Sequence, residues 1–225
     1  MWGYCKMLRK DIIELVPESA KRVIELGCME GENLNGLKER GVTEYIGIDM
    51  TVPSNPENMS KFIAMDLDSD AMLDIKEGAY DVIIAADILE HLRYPIATIN
   101  SFKKYLRPGG SFITSIPNIA HIDVIVKMMS SEFQYDPSGL LDRTHQRFWS
   151  QKSINAMFTS CGFKSEISKF NTAIYGHSNI AYRNVKKVKE LIDKLSVLCT
   201  DTDKTFSFFR DNMFLAQFLN RWRMV

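Results

Sequence analysis

Between Lys21 and Ile116, short apolar runs alternate with longer amphipathic stretches. Lys21–Leu26 (KRVIEL), Glu44–Ile48 (EYIGI), Phe62–Met65, Tyr80–Ala85 (YDVIIA) and Ser111–Ile116 (SFITSI) read as strands. The continuous apolar character of the fourth run suits a strand covered on both faces. The stretches between them read as helices: Asn33–Arg40 closed by Gly41, Asp70–Glu77 closed by Gly78, and Pro95–Leu106, which stops before a turn at Pro108-Gly109-Gly110. Strand and helix in this rhythm predict parallel βαβ units and a doubly wound α/β sheet. Such sheets bind ligands at the carboxyl ends of their strands, near the switch point. Glu25, Asp49, Asp66 and Asp87 all fall at or just after a strand end, which locates a site there.

Beyond Pro117 the rhythm breaks. Asn118–Trp149 is rich in aromatic, Met, His and Arg residues and reads as a helix plus a long loop over the carboxyl edge of the sheet. Ser153–Cys161 reads as a helix ended by Gly162, Phe163–Phe170 as a sixth strand, and Asn184–Cys199 as an amphipathic helix. Met213–Trp222 reads as the last strand, with a period that also fits a helix. The basic, amphipathic RNVKKVKELIDKL segment suits packing on the core or on a second subunit of a homodimer; Glu190 and Asp193 dilute its charge for a membrane surface.

Val23–Gly31 reads VIELGCMEG: a buried strand, an acid, and a turn whose glycines let the backbone approach a ligand closely. This resembles the first motif of class I S-adenosylmethionine-dependent methyltransferases. Glu25, Gly27 and Gly31 match, while Met29 stands where the middle glycine usually stands. Asp49 falls where the family places an acid on both ribose hydroxyls, and a carboxylate offers two acceptor oxygens for that task. Asp66-Leu67 falls where the family reads adenine with a side chain and a backbone amide. Tyr80–Leu92 (YDVIIAADILEHL) and Leu106–Gly110 (LRPGG) match the family's fourth and post-fourth segments. The resemblance implies a mostly parallel seven-stranded sheet with a helical and loop lid, and S-adenosyl-L-methionine as cofactor. It places Glu25, Gly27, Cys28, Gly31, Asp49, Met50, Asp66, Leu67, Ala86, Asp87 and His91 around that cofactor. It divides a single domain, 1–225, into a cofactor core (17–116), an acceptor-side insertion (117–150) and a C-terminal part (151–225). A nicotinamide dinucleotide is the rival cofactor, but Glu30 stands where a pyrophosphate needs uncluttered amide donors.

Gly139-Leu140-Leu141-Asp142-Arg143-Thr144-His145-Gln146-Arg147-Phe148, with Pro117-Asn118 after the fifth strand, resembles a bacterial subgroup of this family. That subgroup is associated with surface-polysaccharide and natural-product pathways and is related to the ubiquinone O-methyltransferases. The resemblance covers residues 10 to 170 and implies methylation of a small-molecule hydroxyl, on a sugar or related metabolite. His145 is the candidate base, because its ordinary pKa lies near neutrality. His121 is a second candidate. Arg143 and Arg147 suit a phosphate or carboxylate on the acceptor, and Asn118, Tyr135 and Phe148 complete the acceptor side. No metal is expected, since a cluster of Asp and Asn ligands is not evident; Asp87 and Asn118 are the only pair to consider.

Charge is balanced, with 28 Lys plus Arg against 28 Asp plus Glu, which argues against bulk nucleic acid as partner. A nucleic-acid or protein methyltransferase is the runner-up function, and Ala86-Asp87-Ile88-Leu89 lacks the Asn/Asp-Pro-Pro-aromatic tetrapeptide that would favour it. A non-catalytic cofactor-binding subunit is a third reading, prompted only by Met29. The four cysteines, Cys5, Cys28, Cys161 and Cys199, have no CxxC spacing and read as free thiols. With no signal-peptide core and no apolar run near the roughly 20 residues of a membrane span, a cytoplasmic protein is expected.

Overall fold

The computed structural model describes residues 8–69, 73–171 and 213–225, together with 190, 193 and 194. Seven strands form one sheet in the order β3-β2-β1-β4-β5-β7-β6. They are β1 (Arg22–Leu26), β2 (Glu44–Asp49), β3 (Lys61–Ala64), β4 (Tyr80–Ala86), β5 (Leu106–Pro117), β6 (Phe163–Asn171) and β7 (Gln217–Met224). β1 to β5 pair in parallel, and β7 runs antiparallel to both β5 and β6. The helices are α1 (Lys10–Ile13), α2 (Leu34–Glu39), α3 (Pro95–Lys103), α4 (Ile122–Met129) and α5 (Gln151–Ser160). The chain leaves β1 through β2 to β3 and returns on the other side of β1 at β4, so the carboxyl ends of β1 and β4 form the switch point.

The period of two along each strand sorts its apolar side chains between two cores. Val23, Val82, Ile84 and Ile113 face α2 through Leu34 and Leu37, and Ile12 of α1. Ile24, Leu26, Ile83, Ala85 and Phe112 face Ile99 and Phe102 of α3, and Ile154 and Phe158 of α5. Burial on both faces is why these strands read as near-continuous apolar runs. At the antiparallel end, Trp222 of β7 stacks on Phe158 with ring centroids 4.4 Å apart, and its indole N–H donates to Thr114 Oγ1 at 3.0 Å.

Three local expectations are corrected. Residues 73–77 of the expected Asp70–Glu77 helix form bends and the start of a turn, and 70–72 lie outside the described residues. Leu73 N–H donates to the Tyr105 hydroxyl and the Asp74 carbonyl accepts from Lys61 Nζ, tertiary partners that replace helical ones in so short a segment. The Pro108-Gly109-Gly110 turn is absorbed into β5. Tyr80 pairs with Leu106 and Val82 with Ser111, so residues 107–110 bulge, with Gly109 at φ 71°. Leu106 therefore opens a strand rather than closing α3. The last strand is settled as β7, beginning four residues after Met213. Of the expected Asn184–Cys199 helix, Glu190, Asp193 and Lys194 are helical and exposed, and the rest lies outside the described residues.

Segment 117–150 leaves the end of β5, forms α4, and returns over the turn after β4. Asn118 pairs with Trp149 in an isolated bridge, and the amides of Gln146 and Arg147 donate to the Glu90 carbonyl.

Candidate active site

The turn Gly27–Gly31 follows β1, and the amides of Gly27 and Cys28 both donate to the Ile48 carbonyl of β2. Gly27 (φ 69°) and Gly31 (φ 80°) are in the left-handed region, and a Cβ would lie 2.9 Å from Ile88 or 2.6 Å from Met59. Met29 also adopts φ 48°, a conformation that costs a side-chain-bearing residue about 1–2 kcal/mol. Its side chain is half exposed, and its amide donates to Asp49 Oδ2 at 2.9 Å. The other Asp49 oxygen accepts from Thr51 N–H at 2.9 Å. The last residue of β2 thus clamps the turn that follows β1.

Glu25 is buried, and its carboxylate accepts from Asn33 Nδ2 at 2.7 Å and from the Tyr45 hydroxyl. Burial pushes its carboxyl up to about 7, against the pull of those two donors. Cys28 is buried, and burial pushes its thiol up. Met50, beside Asp49, is exposed. Asp66 is exposed and accepts from Asp68 N–H at 2.9 Å, while Leu67 is buried and its carbonyl accepts from Thr98 Oγ1.

After β4, half-buried Ala86 leads to Asp87, which is also left-handed at φ 52°. Asp87 Oδ1 accepts from Ser115 Oγ at 2.7 Å and Gln217 Nε2 at 2.8 Å, and Oδ2 pairs with the Arg9 guanidinium. Arg9 also pairs with Asp11 at 2.9 Å. This knot ties the N-terminal segment, β4, β5 and β7 together at the sheet's carboxyl edge. Tyr45, Arg9, Ser115 and Gln217 were invisible as partners of these acids in the sequence, because each belongs to an element other than the one it serves; Asn33, two residues past Gly31, was read only as the start of a helix.

The acceptor-side calls separate in space. Glu90, His91 and His145 come together: one carboxylate oxygen and one ring nitrogen from each histidine lie within 4.8 Å of one another. The two imidazole centroids are 4.9 Å apart in an edge-on arrangement, and Phe148 lies 6.0 Å from His145. His145 Nδ1 is 3.3 Å from the Leu140 carbonyl, and His91 Nδ1 is 3.3 Å from the Thr144 carbonyl. Burial lowers the pKa of both rings, and for His145 the neighbouring His91 lowers it further. Burial, with the charge of Asp87 adding, pushes the Glu90 carboxyl well above the ordinary range. Tyr135 is exposed, against Phe133 and Phe148.

The other calls have different surroundings. His121 is buried at the start of α4, where Nδ1 accepts from Asp123 N–H at 3.1 Å as a helix cap. Asn118 is buried and spans the Leu215 carbonyl and Ala120 N–H, anchoring the insertion to the approach to β7. Arg147 donates to the Arg93 and Gln146 carbonyls, and Arg143 is exposed. A surface cavity of about 360 Å³, lined by Glu30, Asn35, Lys38 and Asn58, adjoins the outer side of the turn and includes none of the strand-end acids.

A methyltransferase-domain family profile matches residues 4–166. The chain belongs to this family. It is a class I S-adenosylmethionine-dependent methyltransferase domain, and S-adenosyl-L-methionine is its cofactor. The geometry fits that group: a turn at the switch point whose first and last residues are glycines with no room for a Cβ, and a carboxylate at the end of β2 bonded to it. The methyltransferase domain is 24% identical over 131 residues to a ubiquinone biosynthesis O-methyltransferase from Alkalilimnicola ehrlichii, covering 54% of this chain and 53% of that protein. It spans about half the length of the O-methyltransferases it matches. Its fold matches Burkholderia thailandensis 1,6-didemethyltoxoflavin-N1-methyltransferase, solved with 1,6-didemethyltoxoflavin and S-adenosylhomocysteine. That TM-score is 0.58 at 13% identity, covering 96% of this chain and 77% of the other. An S-adenosylmethionine-dependent methyltransferase from Mesorhizobium loti matches at TM-score 0.56 and 15% identity, covering 95% of each chain. Among the described residues no helix is long and apolar enough to cross a membrane.

Proposed function

We propose that this domain methylates a hydroxyl oxygen of a small molecule, a sugar or related metabolite, with His145 taking the hydroxyl proton. The observation that carries the reading is the pairing of the buried His145 imidazole with the half-buried His91 imidazole at the turn after β4. When bound, S-adenosyl-L-methionine supplies a methyl group on a sulfonium, which the hydroxyl oxygen attacks as the carbon–sulfur bond breaks and its electron pair stays on sulfur. Asp49 would hold the cofactor's ribose, and the Gly27–Gly31 turn would set the approach of its amino-acid end. With Nδ1 of His145 donating to the Leu140 carbonyl, the ring's lone pair is on Nε2. A lowered pKa keeps that imidazole neutral at pH 7 and able to accept a proton. The short match to ubiquinone O-methyltransferases supports oxygen as the acceptor atom.

Calorimetric titration with S-adenosylhomocysteine tests the cofactor half. Asp49→Ala is expected to weaken binding by about 1–3 kcal/mol, and unchanged affinity would remove Asp49 from the ribose site. A screen of hydroxylated metabolites and nucleotide sugars tests the acceptor half. His145→Ala should lower turnover about 10²–10⁴-fold while retaining S-adenosylhomocysteine affinity; undiminished turnover across pH would exclude His145 as the base.

A further inference from the structure

We infer that Arg93 and Arg147 form an anion site for a phosphoryl group on the acceptor, which makes that acceptor a phosphorylated or nucleotide-linked metabolite. The inference rests on the acceptor reading above and deepens it by naming the chemical class of the substrate.

Acids and bases balance over the whole chain, but the ion pairs are unevenly spread. Arg9, Arg22, Arg107, Arg221 and Arg223 each have a carboxylate partner. Arg93 and Arg147 are exposed, and among the described residues neither has one. Backbone bonds bring these two together. The amides of Gln146 and Arg147 donate to the Glu90 carbonyl at 2.8 and 3.1 Å, and Gln146 Nε2 donates to the His91 carbonyl at 2.8 Å. Arg147 Nη2 donates to the Arg93 carbonyl at 2.8 Å. These bonds lay residues 146–147 alongside residues 90–93. His91 belongs to one of these segments and His145 immediately precedes the other, so both cations border the imidazole pair.

The Arg147 head is tethered, with Nη2 on the Arg93 carbonyl and Nη1 3.4 Å from the Gln146 carbonyl. A tethered head has less side-chain freedom to lose when an anion binds. Its remaining N–H groups, and the whole guanidinium of Arg93, are left to donate outward. Asp68 lies at the same edge. It is half-buried, and its two oxygens accept from the amides of Arg93 and Tyr94 at 3.0 to 3.1 Å, so its charge is turned to the backbone. The donor set selects the anion. One guanidinium fork satisfies both oxygens of a carboxylate. Two forks on adjoining segments suit a phosphoryl group, which offers three terminal oxygens and more charge. The anion keeps its charge through methyl transfer. The site therefore holds substrate and transition state equally, lowering KM and leaving kcat unchanged.

The test titrates the full chain, saturated with S-adenosylhomocysteine, with inorganic pyrophosphate at low ionic strength, and with acetate for comparison. Pyrophosphate should bind more tightly than acetate, and added salt should weaken it. Arg93→Ala and Arg147→Ala should each weaken pyrophosphate binding about tenfold. Arg147→Lys keeps the charge without the fork and should fall between Arg147→Ala and wild type. The Arg93 side chain has no internal hydrogen bond among the described residues, so its variant separates anion binding from folding, and S-adenosylhomocysteine affinity should be retained in all three. A wild-type chain that binds no pyrophosphate overturns the inference, as does binding that both alanine variants retain, or acetate binding of equal strength. In an acceptor screen, sugar phosphates and nucleotide sugars should show a lower KM than free sugars, and Arg93→Ala should raise that KM about tenfold with kcat unchanged. A chain that methylates only unphosphorylated hydroxyls keeps the acceptor reading and loses this inference. One that binds pyrophosphate through both arginines but methylates no hydroxyl keeps the anion site and loses that reading of the acceptor.

Discussion

Met29 carries a local cost that the chain does not need for folding. Its left-handed φ of 48° is one that glycine adopts freely. Met29→Gly should therefore stabilise the domain by about 0.5–1 kcal/mol net of the added freedom of the unfolded chain. At this chain length that is a rise in melting temperature of about 1–4 °C, read by calorimetry. A fall would mean that the Met29 side chain makes a stabilising contact that outweighs its backbone strain. Glu25 makes a second residue-scale prediction. Its folded-state carboxyl is raised to about 7 from 4.5, so the folded chain holds that proton more tightly than the unfolded chain. The resulting stability is complete below pH 4.5 and is lost as pH rises through 7, by up to about 3 kcal/mol. Denaturant titrations across that window should show a smaller loss in Glu25→Gln than in wild type. Equal slopes would assign the loss to another group.

The N-terminal strap and the strand-end turns behave as elements whose order depends on one another. Arg9 is bonded to Asp87 and Asp11, and its amide donates to Asn33 Oδ1, so it links α1 to the turn, β4 and the start of α2. Arg9→Ala leaves Asp87 with Ser115 and Gln217 only. The expected result is earlier proteolytic cleavage between residues 8 and 20, with the sheet's far-ultraviolet signal retained. Simultaneous loss of both signals would show that the strap and the sheet unfold as one unit. α4 rests on a different device. The His121 ring caps it, and helix caps contribute about 1 kcal/mol.

At the scale of the whole molecule, the last strand completes the sheet. β7 lies between β5 and β6 in space although it is last in sequence, and its Trp222 seals the core against Phe158. Phe158→Ala should cost about 3–5 kcal/mol, measured by chemical denaturation. Loss of under 1 kcal/mol would mean that the core collapses around the gap. The order of the first five strands, the turn after β1 and the acids at strand ends were legible in the sequence. Local apolar periodicity and glycine placement act over a few residues, and they are repeated at each strand. The expected helix at Asp70–Glu77 and turn at Pro108-Gly109-Gly110 failed because tertiary partners overrode local preference. Tyr105 and Lys61 hold the first, and pairing with β4 draws the second into a bulge.

Sequence alone determined the doubly wound core, its cofactor family and the acids at its strand ends, because each is written in contiguous residues. It placed His91 and His145 in different motifs, and it left Glu90 between packing and chemistry. Only the tertiary structure brought those three side chains within 4.8 Å of one another, gave His121 the first turn of α4 and Asn118 the Leu215 carbonyl as partners, and joined Arg9 to Asp87. The physical reason is chain separation. Segment 117–150 folds back over the turn after β4 through backbone bonds to the Glu90 carbonyl, and no local pattern in either segment encodes that contact.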